Sequence, residues 1–400
     1  MREDNRVCPI CGKDEKNIIK HIIMLVPKDF ILPTEYNIVS CKHCGFIFND
    51  IAYSEVYEKY YSHYRGNTNF SIPSDFKYSI DKDKRENRHL KTASFIESVA
   101  SLDKQSNILD VGCSYGATLI ALKDKGYVNL IGLDLDRDSI SYLHKSGITG
   151  MVGSIFSEDL IEFNGKFDLI ILGHILEHLH EPRRAIDSIK KWLKPNGKIM
   201  IECPDLYQYP RTSPFPGFFA EYEHINHFSI ISLMNLMIDF NLVAYRAGTI
   251  YALIEDFPCL YSLFEKTGCE NALCRTQKDE LYMKNSLIEL NEKGRIVYDN
   301  IEKLNGAKIA LWGAGQFLYS IMSHTKLNKC DVQYIVDKNA DKWGKHYFGM
   351  EISSPQALKN FDGTIVICTT TAYKSVLNDI KEMGINNDVM VPFIEEGICK

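Results

Sequence analysis

No stretch of the 400-residue sequence approaches the roughly 20 consecutive apolar residues needed to cross a bilayer. The first six residues, Met1-Arg2-Glu3-Asp4-Asn5-Arg6, are charged where a secretory signal requires an apolar segment, so a cytoplasmic protein with no membrane partner is expected. An excess of basic residues is also missing. Forty-six Lys and Arg stand against 52 Asp and Glu, a net charge of −6, which argues against a broad nucleic-acid surface and favours a small-molecule partner. The sequence has no tandem repeat of fixed period and no low-complexity tract. What remains is the composition of an ordinary globular chain, 45% hydrophobic and 24% charged, long enough for two or three domains.

Cysteine is plentiful, at 12 residues. In a reducing compartment these are metal ligands or buried thiols rather than disulfides. Cys8-Pro9-Ile10-Cys11 and Cys41-Lys42-His43-Cys44-Gly45 form two C-x-x-C knuckles, each able to place two thiolates on one tetrahedral Zn²⁺, with Gly45 allowing the tight turn. Four Cys ligands fill the coordination shell and leave no position for water, so the expected zinc is structural.

Five segments are expected. Residues 1–65 form the zinc-binding module and 66–106 a connecting helical segment. Residues 107–246 form an α/β domain, 247–306 a helical linker, and 307–400 a second Rossmann-like α/β domain. Apolar strands at Asn107–Val111, Leu130–Leu133, Phe167–Leu172 and Lys198–Glu202 alternate with helical patterns, which implies a parallel sheet wrapped by helices. The linker helix is expected over Asp279–Leu304, weakened at Gly294.

The first strand of the α/β domain ends in Asp110 and runs into the loop Val111-Gly112-Cys113-Ser114-Tyr115-Gly116 before a helix. Gly112 and Gly116 allow a ligand close to the backbone, and Asp110 suits an ammonium group. The next strand ends in Asp134, 22 residues after Gly112, where a carboxylate can accept both ribose hydroxyls. Two other patterns share this region. Gly112–Gly116 also spells the G-x-S-x-G nucleophile elbow, and His174-Ile175-Leu176-Glu177-His178 spells the zinc-protease H-x-x-E-H. The nucleoside reading fits the strand order better, with the 174–178 segment as a helix lining the cleft.

In order, NILDVGCSYG, LIGLDLD, FDLIILGHILEHLHEP and WLKPNGKIMIECP resemble the motifs of class I S-adenosylmethionine methyltransferases. The resemblance implies that Asp110, Gly112, Cys113 and Gly116 hold the methionine end of the cofactor and Asp134 the ribose. It places Leu135 on the adenine face, Ser154 and Ile155 at its edge, and His174 nearby.

Downstream, Glu221-Tyr222-Glu223-His224-Ile225-Asn226-His227-Phe228-Ser229 supplies acid–base groups, with the alternative that the histidines merely lead into a helix capped by Ser229. The whole chain resembles the deoxysugar C-methyltransferases, with their Cys₄ module, central methyltransferase and C-terminal α/β unit. Glu223, His224, Phe228 and Ser229 match that family's E-H-x-x-Y-F-S segment, and His227 stands where Tyr is usual. The resemblance implies His224 as base toward a nucleotide-linked keto-sugar, Tyr64 as stabiliser of the enolate, and Asp337 near the sugar nucleotide. Ala247-Gly248-Thr249 replaces the family's G-G-S, and Thr369-Thr370-Thr371 its W-N. Gly313-Ala314-Gly315-Gln316-Phe317-Leu318 lacks the third glycine of a dinucleotide loop, so no separate NAD site is expected there. The alternatives are an O- or N-methyltransferase acting on another small metabolite, and a zinc-ribbon RNA methyltransferase or non-catalytic RNA binder.

Overall fold

The computed structural model describes residues 6–25, 31–51, 54–61, 88–212, 223–250, 259–266, 273–370, 372–395 and 397–399. At the N-terminus β1 (Lys16–Ile23), β2 (Glu35–Cys41) and β3 (Ile47–Asn49) form an antiparallel meander. Side chains alternate along β2 and β3, and both faces are apolar. Ile38 and Ile47 join one buried cluster, while Val39, Phe46 and Phe48 join another. Helices α1 (Ser54–Lys59) and α2 (Arg88–Val99) follow. Residues 66–87 of the connecting helical segment expected over 66–106 lie outside the described ones.

The central sheet begins with β4 (Asn107–Val111), α3 (Ala117–Asp124), β5 (Asn129–Asp134), α4 (Arg137–Lys145) and β6 (Thr149–Val152). It continues with β7 (Phe167–Gly173), α5 (Pro182–Trp192) and β8 (Leu193–Pro204). A short helix α6 (Tyr209–Thr212) precedes β9 (Asn226–His227), which leaves this sheet to pair with β3 of the N-terminal one. Helix α7 (Ile230–Ile238) then leads to β10 (Leu242–Ile250) and β11 (Cys259–Lys266).

The sheet order is β10-β11-β8-β7-β4-β5-β6, with five parallel strands and β11 antiparallel to β8. The expected helical linker over 247–306 is therefore strand in its first part. Residues 259–266 carry Cys259, Leu260, Leu263 and Phe264 as buried side chains, and β11 lies between two neighbours, so burial on both faces hides the period-two signal. Strand order reverses at β4, which has β5 on one side and β7 on the other, and ligands of open α/β sheets bind beyond the carboxyl ends of the strands at such a point.

Helix α8 (Lys278–Glu302) runs unbroken through a buried Gly294. The C-terminal unit contains β12 (Lys308–Trp312), α9 (Gln316–His324), β13 (Asp331–Val336), β14 (His346–Tyr347) and β15 (Met350–Ser353). It closes with β16 (Thr364–Ile367), α10 (Tyr373–Glu382), β17 (Val389–Met390) and β18 (Ile398–Cys399). Their order is β14-β15-β13-β12-β16-β17-β18.

The N-terminal sheet is a middle layer. Cys8, Val39 and Phe48 share a cluster with Leu109, Leu172 and Ile201 of the central sheet. Ile22, Ile38 and Ile47 share another with Met283, Leu290 and Val297 of α8 and with Ile309 and Leu311 of the C-terminal sheet. No helix among the described residues is long and apolar enough to cross a membrane.

Candidate active site

The loop after β4 is held by backbone bonds and by two residues with positive φ. Gly112 (φ 67°) gives its N–H to the Leu133 carbonyl at 2.7 Å, and Gly116 (φ 74°) caps α3 and bonds the Cys113 carbonyl at 2.9 Å. A Cβ on Gly112 would sit 2.0 Å from Ile175 Cδ1, and one on Gly116 would sit 2.1 Å from Leu143 Cδ1. These glycines therefore also make room for the protein's own side chains, Ile175 and Leu143. Ser114 also has positive φ (48°) and donates its N–H to Asp134 Oδ2 at 2.8 Å, while Asp136 N–H bonds Asp134 Oδ1 at 2.9 Å. Asp134 is thereby fixed against the loop at the end of β5, next to half-buried Leu135. Asp110 is buried at the end of β4.

Two expected contacts are more inward than anticipated. Cys113 packs into the core around α3 with its thiol pushed up by burial, and Ile155 is buried among Leu133, Leu160 and Phe163, so each can offer a ligand little beyond its backbone. Ser154 Oγ accepts from Phe156 N–H at 3.1 Å and shapes the turn after β6.

The H-x-x-E-H segment is a turn rather than a helix. His174 leaves β7 with φ 56°, and its N–H bonds the Glu202 carbonyl at 2.7 Å. Its Nδ1 lies 3.0 Å from Glu177 Oε1 and its Nε2 3.2 Å from Glu202 Oε1. The ring thus stands between two buried carboxylates, with a hydrogen bond to Glu202 and a close ion-pair distance to Glu177. Glu202 Oε2 also accepts from Thr92 Oγ1 at 3.3 Å.

Burial would push the Glu177 carboxyl up, yet the contact with His174 and the nearby imidazoles of His178 and His224 bring it down to about 2. His178 Nδ1 donates to the Glu223 carbonyl at 2.9 Å, with the Tyr61 hydroxyl at 2.9 Å from the same nitrogen, while its Nε2 stands 3.9 Å from Glu177. Its ring lies 4.9 Å from that of His224, edge to face. His224 has its pKa lowered to about 3 by burial and by His178, against the opposing charge of Glu177, so its ring is neutral at physiological pH. Glu223 is buried and accepts from the Tyr60 hydroxyl at 2.7 Å.

His227 is not acid–base material for a ligand. It is fully buried in β9, donates from Nε2 to Asn49 Oδ1 at 3.2 Å, and accepts at Nδ1 from the Tyr209 hydroxyl at 2.9 Å. Burial and the charge of Arg6 lower its pKa to about 3. It follows that His227 couples two sheets, and that Ser229 caps α7 through a reciprocal bond with Ser232, the structural alternative anticipated for that end of the segment. Tyr64 lies outside the described residues. In the C-terminal unit, Asp337 is engaged by Ala314 N–H at 2.8 Å and Lys342 Nζ at 2.9 Å, so its carboxylate closes the 313–315 loop instead of facing a sugar.

The sulfurs of Cys8, Cys11, Cys41 and Cys44 all lie within 4.8 Å of one another, with Cys8 to Cys44 at 3.6 Å and Cys11 to Cys41 at 3.5 Å, compatible with one tetrahedral metal. A Cβ on Gly45 (φ 80°) would sit 1.8 Å from the Thr276 carbonyl oxygen, so this glycine also brings the knuckle against the start of α8. Glu177, His178 and His224 form a second group close enough to chelate, as do His174, Glu202 and Cys259, although His174 already stands between the carboxylates of both.

Residues 84–246 match the family described as "Methyltransferase domain". This segment is a class I S-adenosylmethionine-dependent methyltransferase domain. Residues 305–391 match a family described as "C2185-like, N-terminal". A ubiquinone biosynthesis O-methyltransferase of Pseudomonas aeruginosa is 28% identical over 120 residues, covering 29% of this chain and 50% of that protein. Phosphoethanolamine N-methyltransferase 1 of Arabidopsis thaliana is 29% identical over 127 residues, covering 30% of this chain and 25% of that protein. The chain thus spans half or less of the length of these relatives. A solved structure of the Burkholderia thailandensis 1,6-didemethyltoxoflavin-N1-methyltransferase aligns with 58% of this chain and 95% of that one, at 14% identity and a TM-score of 0.41.

Sequence reasoning missed Glu202, Tyr60, Tyr61 and Arg6 as parts of this neighbourhood. Only Glu202 carried a signal, an acid ending an otherwise apolar strand.

Proposed function

We propose that the protein methylates a small molecule with S-adenosylmethionine, and that the acceptor is a nucleotide-linked keto-deoxysugar alkylated at the carbon alpha to its ketone. The observation that carries this reading is the position of His224, whose ring nitrogen lies within 4.8 Å of Glu177 and His178 and which directly follows buried Glu223. When bound at the β4 loop and Asp134, the cofactor supplies an electrophilic methyl group on sulfur. The protein's task is then alignment and removal of a proton. His224 takes the alpha proton as the C–H bond breaks, and the negative charge of Glu177 favours the imidazolium that results. The bound cofactor would supply the methyl group to the deprotonated carbon and would leave as S-adenosylhomocysteine. Tyr64 stabilises the enolate oxygen, the C-terminal unit helps to hold the sugar nucleotide, and the four cysteines carry a structural zinc.

A second reading, O- or N-methylation of another small metabolite, is favoured by the names of the two curated relatives. Incubation of nucleotide-linked keto-sugars in deuterated water separates the two. C-methylation predicts deuterium at the alpha carbon and a mass gain of one methyl from labelled cofactor, both lost in His224→Ala. Methyl transfer to oxygen or nitrogen, with no exchange on any keto-sugar, overturns it.

A further inference from the structure

Among the described residues, the buried cation Arg6 has no carboxylate as a hydrogen-bond partner. Its Nη1 donates to the carbonyls of Asn49 at 3.2 Å and Ile225 at 3.0 Å. Its Nη2 donates to the carbonyls of Leu179 at 3.3 Å and His180 at 2.8 Å, and to Asn226 Oδ1 at 2.8 Å. The guanidinium lies 5.6 Å from the centre of the Phe48 ring, and its own main-chain carbonyl accepts from Lys16 Nζ at 2.6 Å. A buried charge balanced only by carbonyl dipoles is a costly way to fill a core, since an apolar side chain would avoid the desolvation.

The groups that Arg6 grips bracket the two acid–base segments. Leu179 and His180 directly follow Glu177 and His178, and Ile225 and Asn226 directly follow Glu223 and His224. Asn226, itself held by Arg6, donates from Nδ2 to the carbonyls of Leu176 and Leu179, each at 2.7 Å. The N–H groups of Ile225 and Asn226 both bond the Glu177 carbonyl, at 2.9 and 3.1 Å. The two segments are thus tied to each other by five bonds, the His178 Nδ1 contact with the Glu223 carbonyl included. Asn49 and Ile51 also join them to the N-terminal module, through the carbonyls of His224 and Ile225 and the His180 ring, and Arg6, two residues before Cys8, is a single side chain there that reaches both segments.

We propose that Arg6 is a positioning residue, which fixes the separation of the His178 and His224 rings and thereby makes the four-cysteine module part of the acceptor site. This rests on the reading of those rings as acceptor-side groups. The planar fork of Arg reaches five acceptors on three segments, and the single ammonium of Lys cannot, so Lys preserves the charge but not the register.

The test is hydrogen exchange and histidine ¹⁵N NMR on the full-length, metal-loaded protein. Arg6→Met keeps the packing on Phe48 and removes the fork. Exchange at the Ile225 and Asn226 amides should rise about tenfold or more, and the ring ¹⁵N shifts of His178 and His224 should move. Metal content, affinity for S-adenosylhomocysteine and protection of the Gly112 amide should stay as in the wild type. Arg6→Lys, the variant that decides if Arg6→Met does not fold, should show the same local change at smaller size. An Arg6→Lys protein indistinguishable from wild type in exchange and ring shifts overturns the proposal, as does uniform loosening that includes the β4 loop. With an acceptor in hand, Arg6→Lys should lower kcat while leaving the cofactor KM unchanged. If wild-type protein methylates no keto-sugar, the proposed function fails while the exchange and NMR results still judge the role of Arg6.

Discussion

The two Rossmann-like sheets repeat one local design and end it differently. In each, a glycine after the first strand bonds the carbonyl just before the acid of the second strand: Gly112 to Leu133 at 2.7 Å, and Gly313 to Val336 at 2.8 Å. In each, that acid accepts an N–H from the same loop, Ser114 to Asp134 and Ala314 to Asp337, both at 2.8 Å. Each acid also accepts the amide two residues on, Asp136 to Asp134 and Asn339 to Asp337, but Asp337 additionally binds Lys342 Nζ and is buried, whereas Asp134 is half exposed. The central copy keeps a carboxylate facing outward at the switch point, and the C-terminal copy spends the same residue on sealing its own loop.

Acid should separate the two sheets most strongly. Three histidines around the central domain have their pKa lowered by burial, His224 and His227 to about 3 and His180 to about 4, against one on the C-terminal unit, His324, lowered to about 4. An unfolded His takes a proton below about pH 6.5 and these folded ones do not, so the unfolded state binds more protons between about 3 and 6.5. The stabilising effect is complete above pH 6.5 and is lost as the pH falls. For His227 alone the loss is on the order of 4 kcal/mol. Hydrogen exchange at pH 4.5 should deprotect peptides of the central sheet before those of β12, β13 and β16. The reverse order would break the comparison.

A smaller effect is expected from the two loop glycines. Gly313 has φ 113°, outside the left-handed well open to other residues, and an added Cβ would meet the Cys368 carbonyl oxygen at 3.1 Å, where backbone cannot yield. Gly112 at φ 67° needs only the left-handed well and a shift of the Ile175 side-chain tip. Urea titration should show Gly313→Ala losing about 3 kcal/mol and Gly112→Ala about 1–2 kcal/mol. Calorimetry should show that only Gly112→Ala weakens binding of S-adenosylhomocysteine.

The smallest effect tests the acids themselves. Asp134→Ala should weaken S-adenosylhomocysteine by roughly 30-fold, the equivalent of about 2 kcal/mol for lost charge-assisted bonds to a ribose, while Asp337→Ala leaves that affinity unchanged. Equal loss in both variants would mean that the C-terminal loop contributes to the cofactor site.

Much of this was legible in the sequence because it is local. The C-x-x-C knuckles, the β4 loop and the acid ending β5 are each written within a few residues, and the sulfurs do gather as their spacing implies. Strand β11 was not legible, since a strand buried on both faces loses its alternation. Nor was the role of His227, because a histidine beside Glu223-His224 looks the same in sequence whether it faces a cleft or pairs across β3. Arg6 was invisible for a further reason, since all of its acceptors but Asn226 Oδ1 are main-chain carbonyls that any residue would supply.

Strand β9 bears on how the chain is made. The first three strands of the N-terminal sheet leave the ribosome before the central domain, yet its fourth strand is residues 226–227, pairing with Ile47 and Phe48. Until those residues arrive, β3 offers an open edge and the sheet presents apolar side chains on both faces, the features that invite pairing with another chain. The nascent module must therefore wait through the synthesis of nearly the whole methyltransferase domain before it can be closed. Fragments ending before residue 226 are the ones expected to aggregate.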